Sequence, residues 1–271
     1  AAHIGRQCQA DKVITFDMGG TSADISLIEN YTPQVSNERL VEGYPARIPM
    51  INIITIGAGG GSIARIDEGG ALKVGPKSAG ATPGPACYMR GGTEPCVTDA
   101  NIVLGKLNQE KILGGRMDVD IELAKNAIQT QICDPSGLDP EQAANGIITV
   151  VNSNMVRAVR SVSVEKGYDV REFSLMAFGG AGPLHACEVA RELGMEEVII
   201  TCDPDNQPSR HTLMNLSGEL RNTVTVPTDS ACYRAGDREK CQFYFHTKDY
   251  FKPEWHNEAV CTQPDYTDYS L

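Results

Sequence analysis

Hydrophobic and polar positions change rhythm several times along the chain, and each rhythm predicts an element. Residues 12–16 are a short apolar run closed by Asp17, the pattern of a buried strand. Residues 23–28 alternate instead. Asp24 and Ser26 fall on one side and Ile25 and Leu27 on the other, which predicts a strand with one half-exposed face. Between them lies Asp17-Met18-Gly19-Gly20-Thr21-Ser22, so the two strands read as a hairpin with a polar, glycine-rich tip. A second apolar run, residues 50–56, leads straight into Gly57-Ala58-Gly59-Gly60-Gly61-Ser62. Residues 69–95 are dense in Gly and Pro and read as loop.

Helical spacing begins further on. Asp99 is expected to cap a helix running to about Leu107, and residues 118–131 read as a second helix. The clearest helix opens with Asp139 as N-cap, Pro140 at the first position and Gln142 completing a capping box. Ala144, Ile147, Val151, Met155, Ala158 and Val162 then recur at helical spacing, and Gly167 suits the stop. Residues 174–178 read as a strand, Phe178-Gly179-Gly180-Ala181-Gly182-Pro183 as a turn, 184–193 as a helix and 197–201 as a strand. Strands alternating with helices imply an α/β fold with a mixed sheet.

The rhythm stops near residue 202. Of 27 glycines only Gly218 and Gly236 lie beyond it, and no sustained period follows. The chain therefore divides into a body, residues 1–202, and an unassigned tail, residues 203–271, expected to be poorly ordered and to stay out of the core. His211, His246, His256, Cys232, Cys241 and Cys261 in the tail match no metal-ligand spacing. A net charge of −11 argues against a nucleic-acid partner. No apolar stretch is long enough to span a membrane. Nine cysteines without a C-x-x-C pair suggest reduced thiols and a cytoplasmic protein. The opening at Ala1 reads as a position inside a longer protein.

Two glycine motifs carry candidate chemistry. At the hairpin tip, Gly19 and Gly20 let backbone N–H groups converge as a phosphate requires, and Thr21 and Ser22 add hydroxyl donors. Asp17 can hold Mg²⁺. The alternative is a plain hairpin turn. In the later motif, Gly179, Gly180 and Gly182 join a strand to a helix, where a phosphate or flat ring can approach a helix N-terminus. The alternative is a tight βα turn packed for its own sake. Gly57–Ser62 reads as either a further nest or a flexible strand exit. Cys87 reads as a buried structural thiol, and Arg157 and Arg160 as a solvated or lobe-contacting face. His185 has a ring that could carry a proton near pH 7, although a lone His beside a glycine turn is more often structural.

Taken in order, residues 15–24, 57–64, 74–81, 83–88, 97–101, 163–169 and 178–186 resemble the hydantoinase A/5-oxoprolinase family, most closely its N-methylhydantoinase A branch. The resemblance implies an actin-like (ribonuclease H-like) ATPase lobe with a mixed sheet, the second of two lobes. It implies Mg²⁺ and ATP as cofactors, with Asp17 near the metal and phosphates. Gly19, Gly20, Thr21 and Ser22 would act as phosphate donors, and Gly179, Gly180 and Gly182 would border the nucleotide. It implies an ATP-dependent ring-opening hydrolase of hydantoin or 5-oxoproline-type cyclic amides. The alternatives are an acetone- or acetophenone-type carboxylase subunit and a nucleotide-binding lobe without turnover. The expected partners are a first lobe absent from this chain and a hydantoinase B-like subunit or domain. One lobe alone is expected to be inactive.

Overall fold

A computed structural model describes residues 1–36, 39–41, 44–46, 49–113 and 115–202, and the backbone of two later strands. In chain order the elements that matter are α1 (Ala2–Cys8), β1 (Lys12–Met18), β2 (Ala23–Glu29), β3 (Thr32–Pro33), β4 (Ile53–Ile56), β5 (Ser62–Ile66) and β6 (Leu72–Ser78). Then come α2 (Val97–Val103), α3 (Ile121–Ile128), α4 (Pro140–Val162), β7 (Ser174–Phe178), α5 (Gly182–Leu193), β8 (Glu197–Cys202), β9 (Glu219–Thr225) and β10 (Glu239–His246). The main sheet runs β9-β10-β8-β7-β1-β2-β3, with β4 also paired to β2. Strand β1 is parallel to β7, and β7 to β8, while β1–β2 and β8–β10 are antiparallel. The fold is thus the expected α/β lobe with a mixed sheet.

Alternation in the hairpin explains how the sheet is covered. Ile14, Phe16 and Met18 pair with Leu27, Ile25 and Ala23, so all six share one face. That face joins Ile147, Val151 and Met155 of α4 and Ala186, Val189 and Ala190 of α5 in one core. The long helix α4 starts where the sequence places it. Asp139 Oδ1 accepts the Gln142 N–H at 2.8 Å, and the Asp139 N–H donates to Gln142 Oε1 at 3.4 Å. The opposite face grades from apolar to polar along β1. Val13 packs with Ile28, Met176 and Ile199 beneath Ala2 and Ile4 of α1. Next comes the hydroxyl pair Thr15–Ser26, Oγ to Oγ 2.8 Å. At the end stand Asp17 and Asp24, directly opposite each other.

Some elements differ from the sequence reading. Strand β6 lies in the stretch expected to be loop. It pairs with β5, but its register shifts between Val74 and Ser78, around Pro76, so no alternation survives there. Helix α2 starts at Val97 with Cys96 as N-cap and ends at Val103, so Asp99 is its third residue rather than its cap. Helix α3 is capped by Asp120 and passes into a π turn, Gln129–Cys133. Within the tail, β10 pairs antiparallel with β8 from Glu197↔His246 to Cys202↔Cys241, and β9 pairs with β10. Both strands extend the main sheet, against the expectation of a tail apart from it. Consecutive Phe243, Tyr244 and Phe245 favour a strand but mask the period of two. The rest of the tail, with the expectation of low order and with His211, His256, Cys232 and Cys261, lies outside the described residues. Among the described residues no helix is long and apolar enough to cross a membrane.

Candidate functional site

The parallel pairing of β1 with β7 sets Asp17 beside Phe178, so both glycine motifs leave the sheet at the same end. Contact is close. A β-carbon added to Gly179 would overlap the Asp17 carboxylate and the Met18 carbonyl, and Gly179 holds φ +82°, so glycine is needed twice over. The Ala181 N–H donates to the Met18 carbonyl at 3.0 Å. Helix α5 begins at the next residue and brings the positive end of its dipole to this rim.

The third glycine motif lies beneath the first. Gly59, Gly60, Gly61 and Ser62 are buried, while Gly20, Thr21, Gly179 and Gly180 are exposed. The Gly60 and Gly61 N–H groups donate to the Gly19 and Gly20 carbonyls at 3.0 and 2.6 Å. The Ser62 N–H goes to the Gly59 carbonyl at 3.0 Å, and the Gly59 N–H to Ser62 Oγ at 2.8 Å. With these donors engaged internally, Gly57–Ser62 is neither a nest nor a loose strand exit. It is a buttress for the hairpin tip. Thr98 of α2 secures it, donating from both N and Oγ1 to the Gly60 carbonyl at 2.8 and 2.9 Å. The N–H groups of Gly20, Thr21 and Gly180 make no hydrogen bond among the described residues.

Space around the glycines separates them into two kinds. A β-carbon on Gly59 would stand 2.6 Å from Gly20 C and Thr21 N. On Gly182 it would stand 3.2 Å from the Phe16 carbonyl oxygen. On Gly20 or Gly180 it would meet nothing within 4 Å, and on Gly19 only the Ser22 carbonyl oxygen at 3.9 Å. The first kind lets backbones touch, and the second faces open space.

Two carboxylates flank this space. Burial, and then the charge of Asp24, hold the Asp17 carboxyl above its ordinary range. Asp24 was not singled out from the sequence as a site residue. The signal was present: a symmetric hairpin turning between Gly20 and Thr21 must set residue 24 opposite residue 17. Asp24 Oδ1 accepts the hydroxyl of Thr55 on β4 at 2.6 Å. A cation beside Asp17 and Asp24 would relieve their mutual repulsion, and Thr21 and Ser22 stand at the same tip.

The remaining candidates sit in differing surroundings. Asp99 is fully buried and accepts the N–H groups of Ala86, Cys87 and Cys96 at 3.2, 2.8 and 2.8 Å, tying the proline loop to α2. Burial pushes its carboxyl up, against the pull of those N–H groups. Cys87 is fully buried, and burial with the neighbouring Asp99 charge drives its thiol far up, so it is no nucleophile. Arg157 and Arg160 are exposed on α4. His185 departs from the expectation of a proton carrier. It has no solvent exposure, and burial, then the charge of Lys106, bring it down to about 3. A ring so buried and bonded is held in its neutral form.

The comparisons agree with this geometry. The profile of the Hydantoinase/oxoprolinase family matches residues 1–205. Caprolactamase subunit alpha of Pseudomonas jessenii is 49% identical over 190 residues, which are 70% of this chain and 27% of that protein. The crystal structure of the ATP-dependent caprolactamase from Pseudomonas jessenii superposes with a TM-score of 0.68 at 46% identity, over 73% of this chain and 29% of that one. The nucleotide-free structure of acetone carboxylase, from work on ATP-dependent acetone carboxylation, gives a TM-score of 0.68 at 34% identity, over 73% and 28%. This chain therefore spans under a third of each. The ordered glycine motifs, the mixed sheet that gathers them and the match over residues 1–205 lead to one conclusion: the chain belongs to the hydantoinase/oxoprolinase family.

Proposed function

We propose that the rim formed by the hairpin tip and the Gly179–Pro183 turn is half of a Mg·ATP site in an ATP-dependent enzyme that opens cyclic amides. The observation that carries this reading is the open side of Gly20 and Gly180. Both stand beside glycines that are sterically required, yet nothing among the described residues needs them to lack a side chain. A ligand that approaches the backbone does. The N–H groups of Gly20, Thr21 and Gly180, without a partner among the described residues, and the hydroxyls of Thr21 and Ser22 are phosphate donors, and Gly19 leaves the tip free to curl. Gly179 and Gly182 shape the wall at the nucleotide's side. Asp17, with Asp24 across the hairpin, is the ligand set for Mg²⁺.

Bound ATP would supply a phosphoryl group that activates the amide carbonyl; one water would add at that carbon, the ring C–N bond would break with a proton going to nitrogen, and a second water would release the phosphate. This lobe holds and orients the phosphates, and its electrostatics favour charge that develops during transfer. The caprolactamase match supports a lactam as substrate. The acetone carboxylase match supports the second reading, activation of a ketone by the same lobe. Both relatives are far longer than this chain, and "subunit alpha" in the first points to a partner subunit. A first lobe and a hydantoinase B-like partner complete the enzyme and exclude water from the phosphates, and the chain alone does not turn over. Residues 1–202 carry this unit, and the strands β10 and β9 beyond it extend its sheet. The free buried thiols among the described residues suit the cytoplasm.

The test is calorimetric titration with Mg·ATP. Gly20→Ala and Gly180→Ala should each weaken binding by roughly tenfold or more, the effect of one misplaced backbone contact. Their thermal midpoints should stay at that of wild type. Undiminished affinity in both variants removes the nucleotide from this rim.

A further inference from the structure

His185 sits in a buried polar chain that joins three helices. Its Nδ1 lies 2.8 Å from Asn152 Oδ1 on α4, and its Nε2 lies 3.4 Å from Asn101 Nδ2 on α2. Asn152 Nδ2 donates to Glu188 Oε2 at 2.6 Å, and Lys106 Nζ meets Glu188 Oε1 at 2.5 Å. The direction of every bond follows. With its amide nitrogen on Glu188, Asn152 can only offer His185 its oxygen, so Nδ1 carries the hydrogen and Nε2 is the acceptor. Asn101 must then present its NH₂, which it also donates to the Val97 carbonyl at 3.1 Å.

This orientation has a cost. Asn101 is 1% exposed, and its Oδ1 is buried without a hydrogen-bond partner among the described residues. A leucine would remove that orphan but leave the buried His185 Nε2 without its donor. What the asparagine secures in return for its unpaired oxygen is the His185 ring. What that grip joins is informative. One turn before Asn101, Thr98 holds the Gly60 carbonyl of the buttress. One turn before His185, Ala181 is tied to the Met18 carbonyl at the other wall. The bridge therefore spans the two helices whose N-terminal ends carry the two sides of the rim.

We propose that Asn101, His185 and Asn152 are positioning residues that fix α2 and α5 against each other, and so set the spacing between the buttressed hairpin tip and the Gly179–Pro183 turn. Their role as an aid to nucleotide binding rests on the function proposed above. Their role in holding the rim does not.

The experiment measures amide exchange across the full chain in wild type, Asn101→Leu, His185→Phe and His185→Gln, followed by Mg·ATP titration. Exchange at the Gly60, Gly61 and Ala181 amides should speed up at least about tenfold in Asn101→Leu and His185→Phe. Core amides of β1 and β7, such as Ile14 and Leu175, should keep their rates. His185→Gln carries a donor and an acceptor in one amide and should restore most of the protection. The dissociation constant for Mg·ATP should rise in the same order. Unchanged exchange at the rim in Asn101→Leu, or acceleration of all amides together, overturns the proposal. If His185→Phe does not fold, Asn101→Leu against His185→Gln still decides it. If wild type shows rim protection but no Mg·ATP binding, the nucleotide reading fails while the exchange data still judge the bridge.

Discussion

Replacing Gly59 by alanine tests whether the three glycine motifs form one rigid unit. The new methyl would stand 2.6 Å from Gly20 C and Thr21 N and 2.7 Å from the Gly20 oxygen. These are backbone atoms and cannot swing aside like a side-chain tip. Ordinary contact requires the buttress and the hairpin tip to separate by about 0.8 Å. The bond from the Gly60 N–H to the Gly19 carbonyl, now 3.0 Å, would then be lost, and the 2.6 Å bond from Gly61 to Gly20 would become marginal. Losing these bonds costs roughly 1 kcal/mol each, and overpacking costs about 1–3 kcal/mol. Alanine returns about 0.4–1 kcal/mol by restricting the unfolded chain. The net expectation is a loss of about 3 kcal/mol, or a fall of roughly 6–12 °C in thermal midpoint for a domain of this size. Differential scanning calorimetry reads it directly, with Gly20→Ala, which meets nothing, as the matched control. A Gly59→Ala midpoint within about 2 °C of wild type would refute the rigid-unit argument.

Asp17→Asn in the complete enzyme should lower phosphate release by on the order of 10²-fold, the loss of one electrostatic contact to the transition state; near-wild-type turnover takes Asp17 out of the site. His185 predicts a pH dependence of stability. Its unfolded ring binds a proton near 6.5 and its folded ring near 3, so between these values the unfolded chain holds the extra proton and stability falls as pH falls. Relative to His185→Gln, denaturant titrations of wild type should lose up to about 1.4 kcal/mol per pH unit across this window. The raised carboxyls of Asp17 and Asp99 act in the opposite sense, but they are present in both proteins and cancel. Parallel curves would mean that His185 is not held neutral.

How far the sequence discloses this arrangement depends on what each residue's pattern can encode. The hairpin was legible because Asp24, Ile25, Ser26 and Leu27 alternate, and helix α4 because Asp139, Pro140 and Gln142 spell out its start. Strand β10 was hidden because Phe243, Tyr244 and Phe245 are consecutive, so propensity speaks without period. Strand β6 was hidden by Pro76 and the register break beside it. Asn152 had no signal at all. It interrupts the apolar stripe of α4, and only the fold shows that His185 and Glu188 meet it there. His185 itself was visible, but burial is what decides between a proton carrier and a fixed neutral ring, and a single residue in a sequence does not carry its burial.

The glycines give the sharper case. In sequence, Gly59 and Gly20 look alike: each lies in a short run that follows a strand and is joined to polar residues. In the fold they do opposite things. Gly59 lacks a side chain because Gly20 and Thr21 occupy the place where one would go. Gly20 lacks one although its own place is empty, and its N–H, like those of Thr21 and Gly180, has no partner among the described residues. A glycine costs conformational entropy on folding, and Gly59 offsets this through the contact it permits. Gly20 and Gly180 offset it with nothing among the described residues. On the function proposed above, the balance comes from a ligand that docks against the bare backbone. The exposed donors, the α5 N-terminus and the Asp17–Asp24 pair at the same edge suit an anion accompanied by a cation.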